Sequence, residues 1–320
     1  MYAPGPEDGV NVLITSLSRK VPLLEAFQEA TSAGGRVWGA DSDPECVGRH
    51  FADGFWAMPR LAEPDVQEQV LQFCSRERIG LVVPTRDGEL AFFAGLRDAL
   101  GAQATHVAVG HPAAVEVCLD KQAFHDHCVR HGIATAPTAA SAGDLEAQRL
   151  VVKDRRGAGS GGLAVGLDPQ AARAHAEQLK DPVFQALIEG AEHSVDVYVN
   201  RAGRVVEAAP RTRIRVHAGE STVTETVEHP GLAAAATALA ESLDLHGHLV
   251  VQGFVDGDRA TLIECNARVG GASTLGFAAG VDSPRWAIEE AGGGTVAPRV
   301  GSYRRGLRLV RYPADRLIEP

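Results

Sequence analysis

The stretch Leu249–Asn266, which reads LVVQGFVDGDRATLIECN, decides the fold of the C-terminal part of the chain. Its two apolar ends predict a pair of neighbouring β-strands. Because side chains alternate along a strand, Glu264 and Asn266 share one face, which Gln252 can reach from the other strand. Arg268, two residues further on, continues that face. These oxygen donors suit Mg²⁺, which takes one or two carboxylates and completes its shell with water and phosphate. The alternative is a solvated polar strand face.

A glycine-rich loop follows a second predicted strand, Leu150–Lys153. The loop, GAGSGG at residues 157–162, lets backbone N–H groups form an anion-binding concavity, and Lys153 adds a positive charge. The lysine precedes the glycines, so this is not the G-x-x-x-x-G-K-[ST] phosphate loop. A plain glycine-rich hairpin is the alternative. Together with the first cluster, the loop favours a Mg-nucleotide as the ligand.

The first 110 or so residues alternate strand and helix signals, which predicts a doubly wound α/β sheet. The turn after the first strand, residues 15–20, lacks G-x-G-x-x-G, and this argues against a nicotinamide-type site. Thr85, Asp87 and Glu89 follow a later strand, where they could meet a ligand or cap a helix. Beyond Pro112 the pattern changes to helices and antiparallel hairpins, typical of an α+β domain. One such helix is expected over residues 113–131.

Composition excludes several classes of protein. With 31 basic and 41 acidic residues in 320, the net charge of −10 argues against nucleic-acid and anionic-membrane partners. The run of arginines at 211–215 still allows a local basic pocket. Five scattered cysteines without C-x-x-C predict neither a disulfide framework nor a zinc ribbon. The start has no signal-peptide pattern, and no apolar run reaches the roughly 20 residues of a membrane helix. We therefore expect a cytoplasmic protein.

Three further groups invite a functional interpretation. Residues 125–131 read HDHCVRH, which could bind a metal, although an exposed helix face is the favoured interpretation. His246 and His248 flank a turn glycine and are expected to be structural. Ser273 is expected to line a substrate pocket.

Four motifs, taken in order, resemble the ATP-grasp superfamily, and most closely its branch similar to the carbamoyl-phosphate synthase large subunit. They are Asp120-Lys121, Val151-Val152-Lys153 with the glycine loop, QALIEGAEHSVD at 185–196, and IECNARVGG at 263–271. The match runs from about residue 10 to 281. Asp154, Ala186 and Ala267 stand where the family usually has Pro, Glu and Pro, and none of these departures removes a ligand.

The resemblance implies a two-part architecture that mixes α/β and α+β structure. A flexible tail at 1–9 precedes a doubly wound, Rossmann-like pre-ATP-grasp domain at 10–112. The ATP-grasp domain at 113–300 includes a mobile lid at about 123–185, and a C-terminal extension occupies 301–320.

The resemblance also implies a role for each matching residue. The ATP-binding residues would be Lys121, Lys153, Gly159, Ser160, Gly161, Gln185, Ala186, Leu187, Ile188 and Glu192. The metal ligands would be Gln252, Glu264 and Asn266, holding Mg²⁺ with Mn²⁺ as the alternative ion. The catalytic residues would be Lys153, Arg213 and Arg268, which stabilise the transferred phosphoryl group and its carboxylate acceptor.

The implied activity is ATP-dependent ligation of a small-molecule carboxylate to an amine through an acyl phosphate, with release of ADP and phosphate. Two alternatives remain open: carboxyphosphate formation of the carbamoyl-phosphate synthase kind, and a catalytically silent ATP-binding regulatory module. A homodimer is the default expectation.

Overall fold

The computed structural model describes residues 9–31, 34–157 and 161–318. The predicted tail at 1–9 therefore lies outside the described residues except for Gly9. In chain order the strands are β1 (Asn11–Ile14), β2 (Val37–Asp41), β3 (Gly54–Ala57), β4 (Ile79–Val83), β5 (His106–Val107), β6 (Thr138–Ala139), β7 (Leu150–Asp154), β8 (Ala164–Leu167), β9 (Pro182–Ala186), β10 (Ala191–Val199), β11 (Val205–His217), β12 (Glu220–Thr226), β13 (Gly247–Asp256), β14 (Arg259–Asn266) and β15 (Arg308–Val310).

The α-helices are α1 (Val21–Ala30), α2 (Val66–Arg76), α3 (Asp87–Gly101), α4 (Pro112–Leu119), α5 (Lys121–Arg130), α6 (Pro169–Ala176), α7 (Pro230–Ser242), α8 (Thr274–Ala279) and α9 (Ser283–Ala291). None of those in the described residues combines the length and hydropathy needed to cross a bilayer.

The N-terminal sheet is parallel, with the strand order β3-β2-β1-β4-β5. Its central strand β1 buries Val12, Leu13 and Ile14 completely, as expected where helices cover both faces of a sheet. The predicted doubly wound fold is confirmed. The strand order reverses between β1 and β4, so the loops after these two strands open at the edge where such sheets bind ligands.

Two antiparallel sheets form the rest of the fold. The six-stranded sheet has the order β14-β13-β10-β11-β12-β15, and the four-stranded sheet has the order β6-β9-β7-β8. The predicted strand pair is β13–β14, in which Gln252 pairs with Glu264. The β10–β11 pair is one of the antiparallel hairpins expected beyond Pro112. The α+β character of this part is confirmed.

The helix expected over 113–131 is two helices with a break at Asp120. The extended backbone of Asp120, at φ −117° and ψ 109°, ends α4. Its buried side chain accepts hydrogen bonds from the N–H groups of Gln122 and Ala123 and so caps α5. Asp120 therefore fixes where α5 begins and places Lys121 in its first turn.

Two of the strands that were not predicted, β12 and β15, lie in the six-stranded sheet. The sequence of β12, ESTVTET, has few apolar residues, and β15 is only three residues long. In the structure β15 pairs with β12, so the C-terminal extension adds an edge to the six-stranded sheet. The buried carboxylate of Glu207 anchors the chain just before β15 by accepting the N–H groups of Gly301, Ser302 and Tyr303.

One hydrophobic cluster joins the N-terminal sheet to the six-stranded sheet, bringing Leu13 and Phe93 together with Val195 and Leu249. The four-stranded sheet has a small separate cluster, built around Leu150, Val152 and Phe184. The two larger sheets thus share a core, and the four-stranded sheet packs as a smaller body beside them.

Candidate functional site

A cavity of about 920 Å³ lies where the three sheets meet. The sequence-predicted residues that line it are Lys121, Lys153, Gly161, Gln185, Ala186, Leu187, Ile188, Glu192, Arg213, Gln252, Glu264, Asn266 and Arg268. The predicted loop residues Gly159 and Ser160 lie outside the described residues. The structure therefore brings all the described candidates to one space.

Alternation along β14 produces the oxygen-donor face of the cavity. Cys265 and Ala267 point into the core, with 2% and 1% of their surface exposed. The alternate residues, Glu264 and Asn266, line the cavity. Asn266 Nδ2 donates to Glu264 Oε1 at 3.2 Å. Gln252 stands opposite Glu264 in register.

This donor set has one carboxylate and two amides, which fits a hard cation that shares its shell with phosphate oxygens. Within the described ranges no group of three or more His, Cys, Asp or Glu side chains could hold a metal ion alone. A cation here would depend on a ligand that brings further oxygens, as a nucleotide does.

Two lysines face the donor set. Lys121 Nζ donates to the carbonyls of Arg155 and Gly157, at 3.3 and 3.1 Å, and so reaches the beginning of the glycine loop. Burial lowers the pKa of Lys121 and of Lys153, and the negative charge of Glu264 opposes that effect in both cases. Two partly desolvated ammonium groups beside one carboxylate form an environment that an anion would stabilise.

Residues 185–188, the end of β9 and the two residues after it, lie along one wall of the cavity. Gln185 is buried, and its side-chain amide donates to Thr138 Oγ1 at 2.8 Å. The N–H groups of Ala186 and Leu187 donate to the carbonyls of Pro137 and Arg149. These bonds hold the segment in place, and its backbone lines the cavity.

Glu192 and Arg213 form an ion pair across β10 and β11, with 3.0 Å between Oε1 and Nε. Burial raises the pKa of Glu192, and the charge of Arg213 counteracts this effect. Arg213 also donates to the carbonyl of Gly219 at 3.0 Å. Its guanidinium is thus held at the junction of β11 and β12.

Arg268 makes a two-pronged ion pair with Asp87 at the start of α3. Arg268 Nε lies 2.8 Å from Asp87 Oδ1, and Nη2 lies 2.7 Å from Oδ2. The same Nη2 donates to Asn266 Oδ1 at 3.2 Å. Arg268 thereby connects the donor face to the N-terminal sheet.

Sequence reasoning missed a buried network behind the cavity wall. Asp196 lies 2.7 Å from Arg211 Nε and also accepts from Ser273 Oγ at 2.5 Å. Burial opposes ionisation of Asp196, but Arg211 and His248 overcome it and hold its carboxyl pKa at about 2. The one sequence signal for this network was the position of Arg211 two residues before Arg213, because residues two apart share a face of a strand.

Ser273, His127 and His248 are buried side chains that lie outside this cavity. Ser273 is fully buried and bonds to Asp196 and His248, so the expectation that it lines the pocket is wrong. His248 is structural, as expected. The side chain of His127 is mostly buried, stacks on His131 and contacts Ser242 Oγ at 2.9 Å, which makes this cluster a packing contact of α5.

Ser221 is a further residue that the sequence did not single out. It lines the same cavity as Arg213, and its buried hydroxyl has no hydrogen-bond partner among the described residues. Buried hydroxyls are normally bonded. This hydroxyl is therefore available to a ligand.

Two family models match the chain. Residues 12–108 match the PylC-like N-terminal domain, and residues 178–312 match a family described as ATP-grasp in the biosynthetic pathway with Ter operon. No curated protein matches the sequence.

Solved structures with the same fold span most of the chain. The biotin carboxylase domain of Hydrogenobacter thermophilus 2-oxoglutarate carboxylase, a dimer in complex with MgADP, ADP and bicarbonate, has a TM-score of 0.73 at 15% identity, covering 94% of this chain and 74% of that one. The L-amino acid ligase of Bacillus licheniformis has a TM-score of 0.68 at 17% identity, covering 88% and 74%. The N5-carboxyaminoimidazole synthetase of Staphylococcus aureus, complexed with ADP, has a TM-score of 0.72 at 13% identity, covering 91% and 79%. At these identities the likeness establishes the fold.

Proposed function

We propose that the chain is an ATP-dependent ligase that joins a small carboxylic acid to an amine, since residues 178–312 match an ATP-grasp family and residues 12–108 match the PylC-like N-terminal domain. The acid would take the γ-phosphoryl group of ATP, and the amine would then displace phosphate from the acyl phosphate. The observation that carries this proposal is the convergence, in one cavity, of two partly buried lysines, the Glu264–Asn266 donor face and Arg268.

ATP would lie along the wall formed by residues 185–188. Since the N–H groups of Ala186 and Leu187 are already used within the chain, the adenine edge would meet the backbone of Ile188. Glu192 lines the same cavity as residues 185–188 and is held there by Arg213, so it would accept from the ribose hydroxyls.

Lys121 and Lys153 would bind the phosphates. Both ammonium groups are partly desolvated, so an anion beside them gains more than it would in water. The glycine loop, with Gly159, Ser160 and Gly161, would cover the phosphates as part of a lid at about 123–185. Exclusion of water would protect an acyl phosphate from hydrolysis.

Mg²⁺, or Mn²⁺ in its place, would be held by Glu264, Asn266 and Gln252. The cation, when bound, neutralises charge between the β- and γ-phosphates. Two amides and one carboxylate would leave half of an octahedral shell to phosphate and water, which agrees with the need for a nucleotide noted above.

Arg268 and Arg213 would hold the carboxylate of the acid and the transferred phosphoryl group. A guanidinium binds such planar or tetrahedral oxyanions through two parallel hydrogen bonds and stays charged throughout. Fixed donors of this kind contribute to catalysis because they need not reorganise as charge develops.

The bound ligands of the fold neighbours support these assignments. The synthetase of Staphylococcus aureus is complexed with ADP, and the Hydrogenobacter carboxylase domain binds MgADP and bicarbonate. That domain is a dimer, which also supports a homodimer here.

The test is ADP release from Mg-ATP with pooled carboxylic acids, including bicarbonate, each with and without pooled amines. Lys153→Ala should reduce the rate about 10²- to 10³-fold, as loss of a charge-stabilising group does. The matched control is Lys180→Ala, which removes an exposed lysine between α6 and β9. Stimulation by bicarbonate alone would favour carboxyphosphate formation. ATP binding without stimulation by any acid would favour a silent nucleotide-binding module.

A further inference from the structure

The Asp87–Arg268 pair places a carboxylate of the chain where a carboxylate substrate would bind. Both oxygens of Asp87 accept from Arg268, at 2.8 and 2.7 Å, in the fork geometry that arginine uses for carboxylates. The side chains keep 17% and 19% of their surface exposed, and both residues line the cavity. An incoming acid can therefore reach this guanidinium and compete for it.

The backbone under Asp87 is held by other groups. Glu89 Oε1 accepts from the N–H groups of Thr85 and Arg86, at 2.7 and 3.0 Å, and Glu89 Oε2 accepts from Ser16 Oγ at 2.7 Å. Glu89, and not Asp87, therefore caps the N-terminus of α3. Since the oxygens of Asp87 are engaged by Arg268, its side chain can turn away from Arg268 without disturbing the helix.

Other acidic groups in the cavity keep partners of their own. Glu220 is paired with Arg311 at 2.7 Å, and Glu264 lies against the lysines and Asn266. Asp196 is fully buried behind the wall. Glu192 is paired with Arg213, but only 8% of the Arg213 side chain is exposed, against 19% for Arg268. An acid substrate therefore reaches Arg268 more readily, and Asp87 is the carboxylate that it would displace. An unpaired carboxylate there would attract a cation.

We propose that Asp87 is the binding site for the amine substrate in its ammonium form. Resting on the proposed function, the acid takes over Arg268, and the released Asp87 then binds the ammonium beside the activated acyl group. The bound ammonium gives one proton to the Asp87 carboxylate, and the neutral amine then forms the C–N bond as the C–O bond to phosphate breaks. The order of binding follows: the acid opens the amine site, and until it does so Asp87 is neutralised by Arg268. The ligand class is a primary amine that is protonated at neutral pH.

Asp87→Asn tests the assignment, because it keeps the shape and removes the charge. The matched control is Asp98→Asn, an exposed aspartate near the other end of α3. Each protein is assayed with the acid found in the ADP-release screen and two nucleophiles: the amine from that screen, and hydroxylamine, which is uncharged at neutral pH.

For Asp87→Asn we expect kcat/KM for the amine to fall about 10- to 100-fold relative to that for hydroxylamine, as loss of a hydrogen bond to a charged group implies. The KM for the acid should stay the same or fall, since its competitor is gone. Asp98→Asn should match the wild type. Equal loss with both nucleophiles, or a raised KM for the acid alone, would overturn the assignment. Absence of hydroxamate with the wild-type protein would instead refute the proposed ligase itself.

Discussion

Two arginine–carboxylate pairs in this protein have the same chemistry and different surroundings. Arg211 and Asp196 lie within the six-stranded sheet, 2.7 Å apart, with 3% and 0% of their side chains exposed. Arg268 and Asp87 lie at the same distance but keep 19% and 17% exposed, and they connect two different sheets. The first pair is enclosed by His248 and Ser273, whereas the second opens into the cavity.

This difference separates a structural ion pair from one that a ligand can exchange. Removing one partner of an enclosed pair leaves a charge without water or counter-ion, which is costly. A pair with access to solvent loses little when it opens, since water or a substrate replaces the partner. Burial, rather than distance, therefore determines which arginine holds the fold and which one binds.

The largest effect is expected from Arg211→Ala. It should lower the free energy of unfolding by about 3–5 kcal/mol, because Asp196 remains buried and uncompensated. Denaturant unfolding measures this, and the double variant Arg211→Met/Asp196→Leu should recover much of the loss. A decrease below about 1 kcal/mol would show that the enclosed pair is not structural.

Arg268→Ala should give the opposite profile. Turnover should fall about 10²- to 10³-fold, while the free energy of unfolding should change by no more than about 1 kcal/mol. The control is Arg285→Ala, which removes an exposed partner of Asp282 and should alter neither quantity. A large loss of stability with Arg268→Ala would make the two pairs equivalent and so contradict the comparison.

A third contact, buried and between two uncharged histidines, can be compared with the two ion pairs. His106 and His246 approach with 2.6 Å between their Nε2 atoms and join β5 to the segment before β13. Burial lowers the pKa of His106 to about 3 and that of His246 to about 4, from an ordinary value of 6.5. Since the unfolded chain binds protons first, the stabilisation is complete above pH 6.5 and is lost as the pH falls below it.

Between pH 7 and pH 5 this pair should cost on the order of 4 kcal/mol of stability, half of it from each histidine. Thermal or denaturant unfolding across that range measures the slope. The variant His106→Asn/His246→Asn should lose this part of the slope while the carboxylates keep theirs. An unchanged slope in the double variant would show that the histidines do not carry it.

The smallest effect concerns the two lysines. Burial lowers the pKa of Lys121 and Lys153, and bound phosphate would raise both, so protonated lysine favours binding. Affinity for ATP should therefore fall as the pH rises towards the ordinary lysine pKa, by roughly tenfold per unit for each deprotonated lysine. In Lys153→Arg the side chain stays charged throughout this range. The part of the pH dependence of ATP affinity that is due to Lys153 should therefore disappear. Affinity independent of pH from 7 to 10 would contradict this account.

The sequence predicted what local spacing determines. Glu264 and Asn266 stand two apart, and the hairpin to Gln252 is short, so their common face could be predicted. The Asp87–Arg268 pair could not, because 181 residues separate its members and no local signal connects them. Ser273 was misplaced because its sequence neighbours do line the cavity, and only the fold shows that its hydroxyl points to Asp196. The break at Asp120 was missed because both helices have apolar spacing.

The central claim is that the cavity transfers a phosphoryl group from ATP to a carboxylate. The most direct measurement uses an acid labelled with ¹⁸O in its carboxyl group and mass analysis of the phosphate released after ligation. The account predicts that one labelled oxygen moves from the acid to phosphate, because the bond that breaks lies between the acyl carbon and that oxygen. Phosphate without label, alongside ADP and amide, would contradict an acyl phosphate and the function proposed for the cavity.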